Sequence, residues 1–154
     1  MPFIYSMEKE KNIGYEIHTL DNMIGRMISS CRSRLTPQGD LTAMQCWIIG
    51  FLYDHMDKDV FQKDIETEFH IARSTASGIL SLMEKKGYIL RKSHPSDARL
   101  KHLVLTQNGI DLQKSIIESI HTTERKLENG ISAEDLETFY RILDQIRKNT
   151  EADD

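Results

Sequence analysis

The stretch from Phe61 to Thr106 reads FQKDIETEFH (61–70), IARSTASGIL (71–80), SLMEKKGYIL (81–90), RKSHPSDARL (91–100), KHLVLT (101–106). Its hydrophobic period changes part-way. Phe61, Ile65 and Phe69 stand four apart, which predicts a short helix over Phe61 to Phe69 with one apolar face, followed by the turn His70-Ile71-Ala72. From Arg73 onward Ala76, Ile79, Leu80 and Met83 follow the i, i+3, i+4, i+7 spacing of a second helix, and Gly87 is placed to be its left-handed C′ residue. Past Gly87 the pattern turns strand-like over Tyr88 to Lys92 and His102 to Leu105. The turn-rich, charged His94-Pro95-Ser96-Asp97-Ala98-Arg99 joins the two strands as a protruding tip. Helix, tight turn, helix and hairpin in that order make a winged helix-turn-helix.

Working toward the N-terminus, Thr42 with Gln45 three residues on forms a capping box for another helix. That helix is expected to carry Met44, Trp47, Ile48, Phe51 and Leu52 inward, and Asp54 to Asp59 read as its frayed end and a loop. Before it, Ile13, Ile17, Leu20, Ile24, Met27, Ile28, Cys31 and Leu35 trace one stripe of a long first helix. Thr36-Pro37-Gln38-Gly39 ends that helix, because Pro cannot continue the hydrogen-bond ladder. Toward the C-terminus, Thr106 caps a fifth helix running to about Asn129, with Ile110, Leu112, Ile116, Ile117, Ile120 and Leu127 on more than one face. Ser132 caps a sixth, with Glu134 and Asp135 in its first turn and Leu136, Phe139, Tyr140, Leu143 and Ile146 as its stripe. The tail Glu151 to Asp154 is expected to be loose. The fold class is therefore mainly α with a small β-hairpin wing, about six helices and a dimeric assembly. Residues 1–35 are read as a dimerisation helix, 36–106 as the winged core and 107–154 as C-terminal dimerisation helices.

The chain has 154 residues, 39% hydrophobic and 29% charged, with three Pro and eight Gly, values that fit a folded helical chain and argue against disorder. No run approaches the roughly 18 apolar residues of a membrane span, and Met1 to Lys11 carry charges where a secretory signal needs an apolar run, so a cytoplasmic location is expected. Two cysteines, Cys31 and Cys46, are too few for a disulfide framework. They read as buried thiols, with a redox switch as the alternative. The six histidines show no paired ligand spacing, so neither metal nor cofactor is expected. Nucleophile elbow, phosphate loop and metal motif are all missing, which speaks against an enzyme.

Net charge is −4, yet its distribution is uneven. Between Phe69 and Lys101 seven basic residues (Arg73, Lys85, Lys86, Arg91, Lys92, Arg99, Lys101) face two acidic ones (Glu84, Asp97), while the remainder carries 13 basic and 22 acidic residues. A basic island in an acidic chain is an electrostatic footprint for a polyanion. The second helix of the motif suits a groove about 12 Å wide, because its outward set of Arg73, Ser74, Thr75, Ser77, Gly78 and Ser81 is small or polar. Gly78 costs about 1 kcal/mol relative to Ala in a helix, and either close approach to DNA or tight packing accounts for it. Lys85 near the helix end and Lys101 on the second strand extend the basic surface. In the tip, Asp97 can brace the turn or the guanidinium while Arg99 enters the minor groove. These ten residues are the DNA-binding candidates.

From Thr42 to Gly109 the chain resembles the MarR family of multiple-antibiotic-resistance regulators. The resemblance rests on Arg73-Ser74-Thr75, Glu84-Lys85-Lys86-Gly87, Asp97-x-Arg99 and Leu105-Thr106-x-x-Gly109. It implies a repressor acting as a homodimer, a pseudo-palindromic operator, and a crevice where small, often aromatic, ligands weaken DNA binding. Trp47 with Met23, Met27 and Met44 could line the crevice or lie in the core. Two departures stand out: Ala98 occupies the place of a second wing arginine, and Cys31 lies late in its helix, unlike the early cysteine of peroxide-sensing members. Independently of the resemblance, the first, fifth and sixth helices carry more apolar surface than the winged core can cover, which also points to a symmetric dimer. The competing reading is a winged-helix protein-interaction module that binds no DNA.

Overall fold

The computed structural model describes residues 11–151. The charged segment before Lys11 and the tail after Glu151, read above as leaderless and loose, lie outside the described residues. The element order is α1 (Ile13–Arg32), α2 (Ala43–Asp54), β1 (Val60–Phe61), α3 (Gln62–Glu68), α4 (Arg73–Lys85), β2 (Ile89–His94), β3 (Asp97–Leu105), α5 (Gln107–Glu128) and α6 (Ala133–Glu151). One compact unit runs to Ser119 and a second begins at Ile120, within α5. No helix among the described residues is long and apolar enough to cross a membrane.

The helix starts follow their sequence signals. Thr42 Oγ1 accepts from the Gln45 amide (3.2 Å) while Gln45 Oε1 accepts from the Thr42 amide (3.0 Å), the full capping box. Ser132 caps α6 by accepting from the Asp135 amide (3.1 Å). At the other ends, α3 and α4 both close with the same paired bonds. Ile71 N–H reaches the Glu66 carbonyl and His70 N–H that of Thr67; Tyr88 N–H reaches Met83 and Gly87 N–H reaches Glu84. This closure needs a left-handed residue, supplied by Gly87 (φ 76°) after α4 and, less comfortably, by His70 (φ 50°) after α3. His70 thus makes the tight turn of the helix-turn-helix.

Four details depart from the sequence reading. First, α1 stops at Arg32, short of Leu35, because Arg34 and Leu35 bond back only three residues; Leu35 then packs on the core from the following turn. Second, Val60 and Phe61 form a strand ahead of the third helix, pairing with Leu103 and His102. The sheet is therefore three-stranded, ordered β1-β3-β2, and the helix begins at Gln62. Third, both wing strands extend to the tip, leaving only Pro95 and Ser96 between them. Fourth, Trp47 does not point inward: it is 59% exposed, and Gln45, Ile48, Ile49 and Leu52 form the buried side of α2.

The core joins α2, α3, α4 and the sheet through Ile48, Ile49, Ile65, Leu80, Met83 and Ile89, all fully buried, and extends to Leu112 and Ile116 of α5. Gly109 sits where the start of α5 meets the end of α4. A Cβ there would lie 2.2 Å from the Tyr88 carbonyl oxygen. Thr106 completes this junction, since its hydroxyl donates to the Gly87 carbonyl (2.5 Å) and accepts from the Gly109 amide (3.1 Å). By contrast α1 buries none of its residues, and Ile13, Ile17, Leu20, Met23 and Ile28 are exposed along it. α6 likewise has none buried and exposes Phe139, Tyr140 and Ile142.

Candidate nucleic-acid interface

α4 docks on the core through Ala76, Leu80 and Met83. Ser74, Gly78, Ser81 and Lys85, spaced four, three and four, run down the opposite side, and all four are exposed. Thr75 flanks this stripe and is exposed. On the other flank Ser77 is half-buried, which makes it the least available of the ten candidates. Arg73 is exposed in the first turn, where Gln62 Nε2 donates to its carbonyl (3.3 Å) and ties α3 to the start of α4. The N-cap residue, Ala72, offers no side-chain acceptor, so the first amides of α4 are left for an outside anion.

Gly78 can now be assigned. A Cβ built there meets nothing within 4 Å, so no neighbour in the protein demands glycine. Tight packing is excluded as its cause among the described residues, and a helix-weakening residue on an open, groove-sized face is left needing an external explanation.

The charges sort into two groups. Lys86 Nζ lies 2.7 Å from Asp40, holding that carboxyl below its ordinary pKa, and Arg91 Nε lies 3.8 Å from Glu84. Glu84 Oε1 also accepts from the Arg91 amide (3.3 Å), which fastens the end of α4 to the base of the wing. Arg73, Lys85, Lys92, Arg99 and Lys101 are exposed and take part in no ion pair with another described residue. The structure therefore adds Lys92, on β2, to the candidates. Sequence supplied the count of cations in the island but not this partition, because the pairing of Arg91 and Lys86 depends on tertiary neighbours.

In the wing, Asp97, Arg99 and Lys101 alternate along β3 and share one face. Asp97 Oδ1 accepts from the Arg99 amide (2.9 Å), so of its two expected roles it takes that of bracing the backbone that presents Arg99. Lys101 Nζ donates to Ser93 Oγ on the paired strand (2.5 Å). No group of three or more His, Cys, Asp or Glu among the described residues is placed to hold a metal ion. Arg34 donates to Cys31 Sγ (3.3 Å). Cys46 is half-buried, and burial pushes its thiol pKa up against the opposing pull of Arg32.

The model of the MarR family matches residues 39–100, the span that holds α2, α3, α4 and most of the wing. Over this span the chain is similar to the MarR family. It is similar to the uncharacterised HTH-type transcriptional regulator YybA of Bacillus subtilis (strain 168), 26% identical over 132 residues that cover 85% of this chain and 86% of that one. Among solved structures, a mutant of S. aureus MepR superposes with a TM-score of 0.80 at 24% identity, covering 91% of this chain and 99% of MepR. A second MepR mutant, bound to an oligodeoxyribonucleotide, gives 0.71 at 24% identity over 92% and 99% of the two chains. The heme sensor protein PefR from Streptococcus agalactiae in complex with heme gives 0.70 at 26% identity over 91% and 95%. The relatives that share this fold include an HTH-type transcriptional regulator and a protein solved on an oligodeoxyribonucleotide.

Proposed function

We propose that the protein acts as a homodimer on a pseudo-palindromic duplex, with the Ser74, Gly78, Ser81, Lys85 stripe in the major groove and Arg99 in the adjoining minor groove. One observation carries the reading: the face of α4 opposite the core is slim, uncapped and open at Gly78, and the helix and the wing that follows it expose five cations with no ion pair among the described residues. Thr75, Arg73, Lys92 and Lys101 contact phosphate or base edges at its margins, and Asp97 acts through Arg99. Ser77 is a marginal contact. That MepR was solved with an oligodeoxyribonucleotide supports the same use of this fold here.

The second copy covers the apolar sides of α1 and α6 and sets two recognition helices about 34 Å apart, one turn of DNA. Binding of a small apolar-faced ligand releases DNA, making the protein a repressor. The heme complex of PefR is support for ligand response within this fold. We assign it no catalytic step and a cytoplasmic place of action.

Selection of bound fragments from a random duplex pool by the purified protein tests the proposal. An inverted repeat with half-sites one helical turn apart is expected. Recovery of no enriched sequence, with protein instead captured only by a protein partner, would favour the interaction-module reading.

A further inference from the structure

The outer face of the wing sheet carries a row of rings that the DNA contacts do not use. Phe61 of β1 lies 6.0 Å from His94 of β2, and His94 lies 6.1 Å from His102 of β3, measured between centroids. His94 is the centre of this row and sits where the β2–β3 ladder loses its regular register, between Ser93 and His94. Its ring makes three contacts. Nε2 lies 3.0 Å from Asp59 Oδ2 in the α2–β1 connection, Nδ1 lies 2.6 Å from Ser96 Oγ, and the Ser96 amide donates to Nδ1 (3.2 Å).

A backbone amide can only donate, so this network requires a bare lone pair on Nδ1. The ring proton is then on Nε2, where it donates to the Asp59 carboxylate. In the neutral ring the Ser96 amide and hydroxyl both donate to that lone pair. A second proton must go to Nδ1, where it donates to Ser96 Oγ but opposes the Ser96 N–H and removes that amide's acceptor inside the two-residue wing turn. The charged or titratable groups that face the ring are Asp59, Asp97 opposite it in the ladder, His102 beside it and Lys92, which is paired to His102; Phe61 and Ser96 carry no charge. Lys58 and His55 line the adjoining groove with Asp59 and His102.

We propose that His94 is a proton-operated catch on the wing: neutral, it fastens the Pro95-Ser96 turn and the brace at Asp97, and protonated, it releases the turn and loosens the presentation of Arg99. The link to regulation rests on the DNA-binding reading above; the catch itself does not. The effect passes through the backbone from Ser96 to Asp97, whose carboxylate accepts from the Arg99 amide at 2.9 Å.

The test follows the Ser96 amide resonance of the full-length, DNA-free protein by NMR from pH 8 to pH 5.5. In parallel, fluorescence anisotropy measures affinity for a pool-selected duplex over the same range at constant ionic strength. The wild type should show a titrating Ser96 signal and an affinity that falls about three- to tenfold toward acid. His94→Asn keeps an acceptor for Ser96 but cannot titrate, so both readouts should flatten. Asp59→Asn should move the Ser96 midpoint to lower pH, a result that a purely structural contact would not give. A Ser96 signal that ignores pH, a His94→Asn protein that keeps the wild-type response, or a titrating Ser96 with unchanged affinity would each overturn the proposal. Failure to bind duplex at any pH would count against DNA recognition itself, and the amide titration of the free protein would still decide the catch.

Discussion

Replacing Gly78 by Ala separates what the helix needs from what its target needs. The added methyl meets nothing within 4 Å, and the position is inside the 13-residue α4. Glycine in an exposed helix interior costs about 1 kcal/mol relative to alanine, so the variant should be more stable by roughly that amount. For a chain of this size about 1 kcal/mol moves Tm by roughly 2–4 °C, read by thermal melts at fixed protein concentration so that any dimer equilibrium is held constant. The same methyl projects from the face opposite Ala76, Leu80 and Met83, where the DNA backbone or a base edge is to come close. Anisotropy titrations with a selected duplex should show affinity reduced about tenfold or more, a loss of at least roughly 1.4 kcal/mol. Stability and binding thus move in opposite directions. An alanine variant that melts higher and binds as well as the wild type would remove this face of α4 from the interface. One that melts lower would refute the reasoning about open space.

Other substitutions test the supporting parts. Arg99→Ala should weaken duplex binding by about 1–3 kcal/mol with little change in Tm, as measured by anisotropy alongside a thermal melt. Gly109→Ala forces a methyl against the Tyr88 carbonyl and should cost about 1–3 kcal/mol in denaturant unfolding; an unchanged midpoint would mean that the α4–α5 junction yields easily. Asp40→Asn removes the partner of Lys86. Because Lys86 holds the Asp40 carboxyl below its ordinary value of 3.8, that stabilisation is present above this value and lost as pH falls through the lower folded one. The variant and wild type should therefore differ in Tm at pH 7 and approach each other as the pH is taken below 3.8. With its pKa raised by burial, Cys46 should react slowly with thiol reagents near pH 7 and faster in alkali, followed by mass spectrometry of the alkylated peptides.

Much of the winged core was legible because its elements announce themselves within a few residues. Thr42 with Gln45, Gly87, Thr106 and Ser132 marked helix ends through local hydrogen bonding, and the change of period past Gly87 marked the strands. Val60-Phe61 was not legible, since two residues carry no period and their pairing with Leu103 and His102 is set by tertiary contact. Trp47 misled for a related reason: α2 is apolar on most sides, and only the packed structure chooses Ile48, Ile49 and Leu52 over it. At the interface, residue type and spacing gave the stripe on α4, but not the loss of Lys86 and Arg91 to carboxylates or the arrival of Lys92. Gly109 stood in a family motif without a stated cause until the Tyr88 carbonyl supplied one. Ala98, noted from the sequence as a departure from the family's second wing arginine, stands between Asp97 and the Arg99 whose amide that aspartate braces.

The salt dependence of duplex affinity tests the central claim most directly. The five candidate cations of α4 and the wing, exposed and without an ion pair among the described residues, used twice, set an upper limit of about 9 for the magnitude of the slope of log K against log salt, at about 0.9 per neutralised phosphate. A slope of about 4 or steeper between 50 and 300 mM is expected, falling by about 1.8 when Lys92→Ala removes one phosphate contact from each protomer. Salt-insensitive binding, or none in dilute buffer, would contradict the account.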